Sequence, residues 1–264
     1  MKNGVFEETM GRLEEGIREL VDSDRWQEFL RAQATFRQYS YRNVLLIAKQ
    51  CPQAVSVAGF HAWRRLGRSV RKGEHAIWIL APSQRRTSTD LGERQHVTRF
   101  ISVPVFDISQ TEGRELPVIC ERLVADDDSQ VFERLRRVAT SIGFAVERGE
   151  LEFGINGECS FTERLIKIEK RNSDAQQVKS IAHELAHAIL HEQTKDRATA
   201  ELEAESVAFV VCSQLGIDSS DYSFGYVASW MADATSAAKA LGESCAAISR
   251  ASERILSLAT LQDA

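Results

Sequence analysis

Apolar positions near the start of the chain recur at intervals of about 3.6 residues, the period of an α-helix. Between residues 5 and 33 this spacing, with acidic residues on the outer face, predicts one or two amphipathic helices. A further helix is predicted over residues 41–49, with Ser40 as its N-cap. A short strand over residues 54–59 and a short helix over residues 61–66 follow it.

From residue 68 the pattern changes to an alternation that is typical of β-strands. Residues 68–82 are predicted to form two strands joined by a turn at Lys72-Gly73-Glu74. The polar residues 83–96 predict a mobile hairpin tip, and residues 97–106 predict the strand that follows it. This mixture of helices and strands predicts an α+β module.

The second half of the chain predicts a further set of helices and strands. A helix is predicted over residues 131–142, a strand over residues 144–148, and a hairpin over residues 158–169. The next helix begins at a capping box, because Ser173 is followed three residues later by Gln176. One or two packing helices without chemistry are predicted from residue 227 to residue 261.

The expected architecture is therefore α+β in two domains, residues 1–115 and residues 125–264, with a linker at residues 116–124. The composition, 43% apolar and 27% charged, is typical of a globular protein. We expect no membrane partner, since no apolar run reaches the roughly 18 residues of a membrane span. The N-terminus lacks a signal-peptide core, and the five cysteines form no C-x-x-C pair, so we expect a cytoplasmic protein.

Charge is distributed unevenly between the two predicted domains. Residues 1–115 contain 18 Lys and Arg against 14 Asp and Glu, whereas residues 116–264 contain 15 against 24. Seven of the basic residues lie between residues 61 and 86, and the aromatic residues Trp63 and Trp78 lie in the same segment. Cations that neutralise phosphates, beside aromatic rings on which bases stack, are what binding of single-stranded nucleic acid requires. The alternative is that both tryptophans belong to the core and that the arginines are merely solvated.

The helix that begins at Ser173 carries the sequence His183-Glu184-Leu185-Ala186-His187. Residues four apart share a helix face, so the two imidazoles can bind one metal ion, while Glu184 can take a proton from water there. The apolar residues of this helix gather on the opposite face. The pattern therefore predicts a metal site rather than a pair of core histidines.

A third metal ligand is expected on the next predicted helix, where Glu201 and Glu205 share one face and Glu203 points away. Either acid can be the ligand, and the alternative is a solvated acidic face. His191 either ends the helix or assists the site. Tyr222 and Tyr226 are further candidates, for stabilising an oxyanion.

Three blocks of the first half resemble the N-terminal single-stranded-DNA-binding domain of ArdC-type antirestriction proteins. They are Ser40-Tyr41-Arg42-Asn43-Val44-Leu45-Leu46-Ile47; Val57-Ala58-Gly59-Phe60-x-x-Trp63-x-x-Leu66-Gly67-Arg68-x-Val70-Arg71-Lys72-Gly73-Glu74; and Val105-Phe106-Asp107-Ile108-x-Gln110-Thr111. The resemblance covers roughly residues 20–115 and implies binding of single-stranded DNA. The candidate DNA-contacting residues are Asn43, Trp63, Arg64, Arg68, Arg71 and Lys72.

The second half resembles the gluzincin class of zincin-like metallopeptidases, in which a Glu-x-x-x-acid pair follows His-Glu-x-x-His on the next helix. The resemblance implies zinc bound by His183, His187 and Glu201, with Glu205 orienting a histidine and Glu184 as general base.

Together the two resemblances imply a protein that protects invading or mobile DNA from restriction. Two alternatives stay open. One is a metalloprotease that DNA triggers to cleave a regulatory protein, and the other is a DNA-binding protein whose metal is only structural.

Overall fold

The computed structural model describes residues 2–88, 94–115, 128–193, 196–217 and 234–261. The described residues form eight α-helices: α1 (Lys2–Glu19), α2 (Ser23–Thr35), α3 (Tyr41–Gln50), α4 (Phe60–Arg65), α5 (Asp128–Ser141), α6 (Asp174–Leu190), α7 (Arg197–Gln214) and α8 (Ala234–Leu261). They also form eight strands: β1 (Val57–Ala58), β2 (Arg68–Val70), β3 (Ile77–Ser88), β4 (Arg94–Asp107), β5 (Thr111–Gly113), β6 (Ala145–Gly149), β7 (Gly157–Ser160) and β8 (Leu165–Glu169). The α+β class predicted from the sequence is confirmed. Among the described helices, none has the length and apolar character to cross a membrane.

The chain forms two compact units, and these differ from the predicted consecutive ranges 1–115 and 125–264 in one segment. The first unit comprises Met1–Arg18 and Arg42–Pro117, and the second comprises Glu19–Tyr41 and Val118–Ala264. Helix α2 thus joins the second unit. The reason lies in Trp26, which is fully buried and donates a hydrogen bond from Nε1 to the Ser206 hydroxyl of α7 at 3.0 Å.

In the first unit β4 is the central strand of a three-stranded sheet with the order β1–β4–β3, and β2 pairs with β5 in a second, two-stranded sheet. The two strands predicted around Lys72-Gly73-Glu74 therefore exist, but they pair with different partners instead of with each other. The predicted hairpin tip at residues 83–96 was too long, because the β3–β4 ladder continues to Ser88 and Arg94. Residues 89–93 lie outside the described residues.

Two side-chain amides of α3 occupy the edge of β3 that β4 leaves open. Asn43 exchanges two hydrogen bonds of 2.9 Å with the backbone of Leu80, and Gln50 exchanges two of 2.9 Å with the backbone of Trp78. Unpaired strand edges leave backbone groups unsatisfied, so these amides act as a substitute for a neighbouring strand. Asn43 therefore stabilises the fold through its contact with β3.

The second unit is built on a mixed sheet with the order β6–β8–β7, in which β6 is parallel and β7 antiparallel to β8. The predicted hairpin is confirmed as the β7–β8 pair. Helix α6 packs on this sheet with Val178, Ile181, Ala182 and Leu185, all fully buried. The predicted N-cap is also confirmed, since Ser173 Oγ accepts a hydrogen bond from the backbone N–H of Gln176. The apolar face of α6 thereby fixes which way its histidines point.

Candidate metal centre and nucleic-acid interface

Helices α6 and α7 bring together the side chains of His183, His187 and Glu201, whose potential ligand atoms all lie within 4.8 Å of one another. The two Nε2 atoms of the histidines are 3.0 Å apart. Glu201 approaches them with Oε2 at 3.4 Å from His183 Nε2 and Oε1 at 3.9 Å from His187 Nε2. Helix α7 begins at the N-cap Asp196, which places Glu201 in its first turns and so beside α6.

The donor set of this cluster fits a first-row divalent cation. Two imidazoles and a carboxylate form a ligand set that catalytic zinc sites use, and neighbouring ligands of a tetrahedral zinc ion lie about 3.3 Å apart. The distances between Nε2 of His183, Nε2 of His187 and the Glu201 carboxylate fall close to that value. The side chain of Glu201 is half exposed, so one side of the cluster is open to water or substrate.

Glu205 contacts the other nitrogen of His183. Its Oε2 lies 3.0 Å from Nδ1, whereas Nε2 of the same ring belongs to the cluster with His187 and Glu201. Of the two acids predicted as alternative third ligands, this geometry favours Glu201 as the metal ligand. It favours Glu205 as the residue that orients His183.

The electrostatics of the cluster favour positive charge at its centre. Burial lowers the pKa of His183, but hydrogen bonds to Glu201 and Glu205 outweigh burial and raise the pKa to about 10. Burial, reinforced by the charge of His183, lowers the pKa of His187 to about 4. The hydrogen bond from His183 lowers the pKa of Glu201. The carboxylates thus stabilise one positive charge between the imidazoles, where a cation would be bound.

Glu184 is buried beside the cluster, and a glycine makes room for it. Burial, with a further contribution from the charge of Glu201, raises the pKa of Glu184 to about 7 against the opposing effect of His183. A Cβ atom at Gly157 of β7 would lie 2.8 Å from Glu184 Oε1 and 2.9 Å from its Cγ. Any larger residue at this position would therefore have to displace the side chain of Glu184. Sequence analysis missed Gly157, because nothing in the local sequence shows that β7 passes against α6.

Other predicted residues of this unit fall outside the cluster. Glu203 leaves the face shared by Glu201 and Glu205, as predicted, but it is buried and hydrogen-bonded to His191. Cys212 is a fully buried core thiol. Tyr222 and Tyr226 lie outside the described residues.

In the first unit, three of the six candidate DNA-contacting residues hold the fold together. Asn43 caps β3, and Trp63 is buried with its Nε1 donating to Phe106 O at 2.9 Å. Arg68 donates from Nε to Thr111 Oγ1 at 2.7 Å and from Nη1 to Arg114 O at 2.6 Å, which ties β2 to β5. For Trp63 the alternative interpretation, that the side chain belongs to the core, is the correct one. Neither Trp63 nor Asn43 has an exposed surface that DNA could contact.

The remaining candidates are exposed. Arg64 and Lys72 reach solvent, and Arg71 is exposed with its guanidinium bound to Glu74 at 2.6 Å. Helix α4 adds the exposed Phe60, four residues before Arg64 and thus on the same face. Phe100 on β4, which sequence analysis missed, exposes 52% of its surface.

Models of two known protein families match this chain, one in its first half and one in its second half. Residues 3–112 match the family model of the N-terminal domain of anti-restriction factor ArdC, and residues 145–218 match the model of the IrrE N-terminal-like, peptidase-like domain. The ArdC-type resemblance predicted from the sequence is thereby confirmed, with a peptidase-like domain as its second part.

Solved structures and a relative extend the comparison. Two crystal structures of the antirestriction protein ArdC from plasmid R388, one metal-free and one with Mn(II) bound, share the fold, each with a TM-score of 0.58 and 20% identity. They cover 84% of this chain, which covers 86% and 85% of theirs. An uncharacterized protein of Bacillus anthracis is 27% identical over 245 residues, and the match covers 75% of this chain and 41% of that protein. The chain thus spans less than half the length of this relative.

Proposed function

We propose that this protein is an ArdC-like antirestriction protein that binds single-stranded DNA with its first unit and a divalent cation with its second. The observation that carries the proposal is the convergence of His183, His187 and Glu201 on one point. The ArdC family match of residues 3–112 supports the DNA-related part.

The cation is held by the two Nε2 atoms and the Glu201 carboxylate, and we propose zinc as its identity. The Mn(II)-bound crystal structure of R388 ArdC supports a divalent cation as the bound metal. Imidazole ligands bind zinc more tightly than manganese, as the general order of divalent-metal affinities requires. A bound cation would polarise a carbonyl group and lower the pKa of a water molecule at the open side of the cluster.

Single-stranded DNA is bound by the exposed basic and aromatic side chains of α4 and the turn that follows β2. Phe60 and Arg64 form one pair on α4, and His61 and Arg65 form a second pair, also four residues apart and exposed. Lys72 adds a further cation. Such an arrangement stacks bases on an aromatic ring while neighbouring cations neutralise phosphates, without selecting a sequence.

A second candidate function, a metalloprotease that DNA triggers to cleave a regulatory protein, is favoured by the environment of Glu184. A general base works best when its pKa lies near the working pH, and burial brings the pKa of Glu184 to about 7. In this function Glu184 accepts a proton from water and then delivers it to the leaving amine. A purely structural metal would not require a buried carboxyl group beside it, with Gly157 leaving space for that group.

The test combines two measurements on one purified sample. Metal analysis by mass spectrometry is expected to find about one divalent cation per chain, and fluorescence anisotropy is expected to detect binding of a labelled 20-nucleotide single strand that weakens as salt rises. A protein that fails to bind the strand at 50 mM salt contradicts the DNA-binding part. A protein that stays metal-free after equilibration with Zn(II) contradicts the metal part.

A further inference from the structure

The outer nitrogen of His187 begins a chain of hydrogen bonds that leads away from the metal cluster. Nδ1 of His187 lies 2.9 Å from Nδ1 of His191, and Nε2 of His191 lies 3.1 Å from Oε2 of Glu203. The other carboxylate oxygen of Glu203 accepts a hydrogen bond of 2.6 Å from the Ser244 hydroxyl. The side chains of His191, Glu203 and Ser244 are all buried. None of these three residues belongs to the cluster of His183, His187 and Glu201.

Three helices contribute residues to this series of hydrogen bonds. His191 is the C-cap of α6, and its backbone N–H bonds to the carbonyl of His187 one turn earlier. Glu203 lies in α7 and Ser244 in α8. Buried polar groups must be hydrogen-bonded because an unpaired one is costly, so each member constrains the next. The result is a fixed support behind one imidazole of the cluster.

The carboxylate of Glu203 determines which group donates and which accepts in each of these hydrogen bonds. An ionised carboxylate only accepts hydrogen bonds, so Nε2 of His191 carries a proton opposite the Glu203 carboxylate, and in neutral His191 Nδ1 is then the acceptor. That acceptor requires the proton of neutral His187 to reside on Nδ1. Nε2 of His187, which faces His183, is then left with a free lone pair. The reverse direction would put the proton on Nε2 and block it as a ligand.

We propose that His191 and Glu203 are positioning residues of the metal centre: they hold His187 in the tautomer and ring orientation that present Nε2 to the cation. This inference rests on the proposed cation site and deepens it. His191 itself is not a ligand, since both of its ring nitrogens are engaged by His187 and Glu203.

The two imidazoles of the cluster are supported in different ways. The side chain of Glu205, behind His183, is 39% exposed, whereas that of Glu203 is 11% exposed. Water can replace a lost hydrogen bond at an exposed position but not at a buried one. Removal of the His191 support is therefore expected to weaken metal binding more than removal of Glu205 does.

The experiment measures the dissociation constant for Mn(II), from the electron paramagnetic resonance signal of the free ion, together with the melting temperature of the metal-free protein. His191→Phe keeps a ring but offers His187 no acceptor, and we expect Mn(II) affinity to fall about 10- to 100-fold. His191→Gln can accept from His187 and donate to Glu203, so we expect it to restore affinity to within about threefold of wild type. Glu203→Gln no longer fixes the direction of the chain, and we expect a loss of about tenfold.

Glu192→Gln is the matched control, because Glu192 adjoins His191 but is exposed and paired with Arg164. It should bind Mn(II) like wild type. If His191→Phe does not fold, Glu203→Gln against Glu192→Gln decides the question. Variants that melt earlier but keep wild-type Mn(II) affinity have lost only packing, and they overturn the inference. Wild-type protein that binds neither Mn(II) nor Zn(II) overturns the cation site itself, and the inference with it.

Discussion

Oε2 of Glu205 lies 3.0 Å from Nδ1 of His183, while Nε2 of the same ring faces His187 and Glu201. A metal-binding histidine commonly donates its second N–H to a carboxylate, which fixes the tautomer and orients the ring. The two carboxylates one turn apart on α7 thus face different nitrogens of the cluster. In the proposed cation site these contacts make Glu201 the ligand and Glu205 the residue that orients His183.

Glu184→Gln is expected to abolish any peptide hydrolysis while the protein keeps its metal. The glutamine fills the same space beside Gly157 but cannot accept a proton, and general bases contribute about 10²- to 10⁴-fold to rate. Metal content and cleavage of a denatured protein substrate, each measured with single-stranded DNA present and absent, check this. Glu163→Gln, a surface change in the turn between β7 and β8, serves as the control. Full protection of DNA from restriction by the Glu184 variant in cells would exclude the protease-centred alternative.

Gly157→Ala should destabilise the second unit and disturb Glu184. The added methyl group would sit 2.8 Å from Glu184 Oε1, and overpacking of this kind costs about 1–3 kcal/mol. Gly149→Ala on β6 is a matched control, because nothing lies within 4 Å of the added Cβ there. Urea unfolding of both variants measures the difference. Equal free energies of unfolding would show that Glu184 does not pack against β7 as described.

Arg64→Ala and Lys72→Ala should each weaken binding of a single strand and reduce its salt dependence. Each removed phosphate contact lowers the slope of log affinity against log salt by about 0.7. Phe60→Ala should weaken binding by about 1–3 kcal/mol with the slope unchanged, because it removes stacking rather than charge.

Arg136→Ala on α5 is the charge-matched control for these DNA-binding variants. Arg136 lies in the second unit, where its exposed side chain pairs with Glu133 of the same helix. Anisotropy titrations at four salt concentrations measure both quantities. An effect of Arg136→Ala equal to that of Arg64→Ala would mean that binding responds only to net charge.

Glu169 is expected to make the second unit sensitive to acid. Its buried carboxylate accepts hydrogen bonds from Arg171, Nε at 2.7 Å and Nη2 at 2.6 Å, and from the backbone of Leu151, and these hold its pKa at about 2. Its pKa in the unfolded chain is higher, about 4.3. The carboxylate therefore stabilises the fold above pH 4.3, and this stabilisation disappears as pH falls towards 2.

Urea unfolding of wild type and Glu169→Gln at pH 6 and pH 3 tests this. The difference in unfolding free energy between the two proteins should be large at pH 6 and smaller at pH 3. A difference that does not change with pH would remove Glu169 from the acid response.

Helix α6 could be predicted from sequence because its signals are local. The spacing of His183 and His187, the Ser173 cap and the apolar face opposite the histidines all lie within one helix. The chain through His191 and Glu203 could not be predicted, because it joins residues of α6, α7 and α8. From sequence alone, a glutamate on a helix is expected to face solvent, and only the tertiary structure shows that Glu203 is buried.

The first half shows the opposite limitation. The motif positions that carry the ArdC resemblance include Asn43, Trp63 and Arg68, and all three hold backbone groups of other elements. A sequence motif combines residues that fold a domain with residues that bind its ligand. Burial separates the two groups, and burial of an aromatic or amide side chain depends on contacts far away in sequence, such as that between Trp63 and Phe106.

The most direct test of the metal centre is anomalous diffraction at the zinc absorption edge from crystals equilibrated with Zn(II). We expect one anomalous peak per chain, about 2.0–2.2 Å from Nε2 of His183, Nε2 of His187 and a carboxylate oxygen of Glu201. Glu205 should remain on Nδ1 of His183, outside bonding distance of the ion. A peak bonded to Glu205 or His191 instead, or no peak between α6 and α7, would contradict the proposed metal centre.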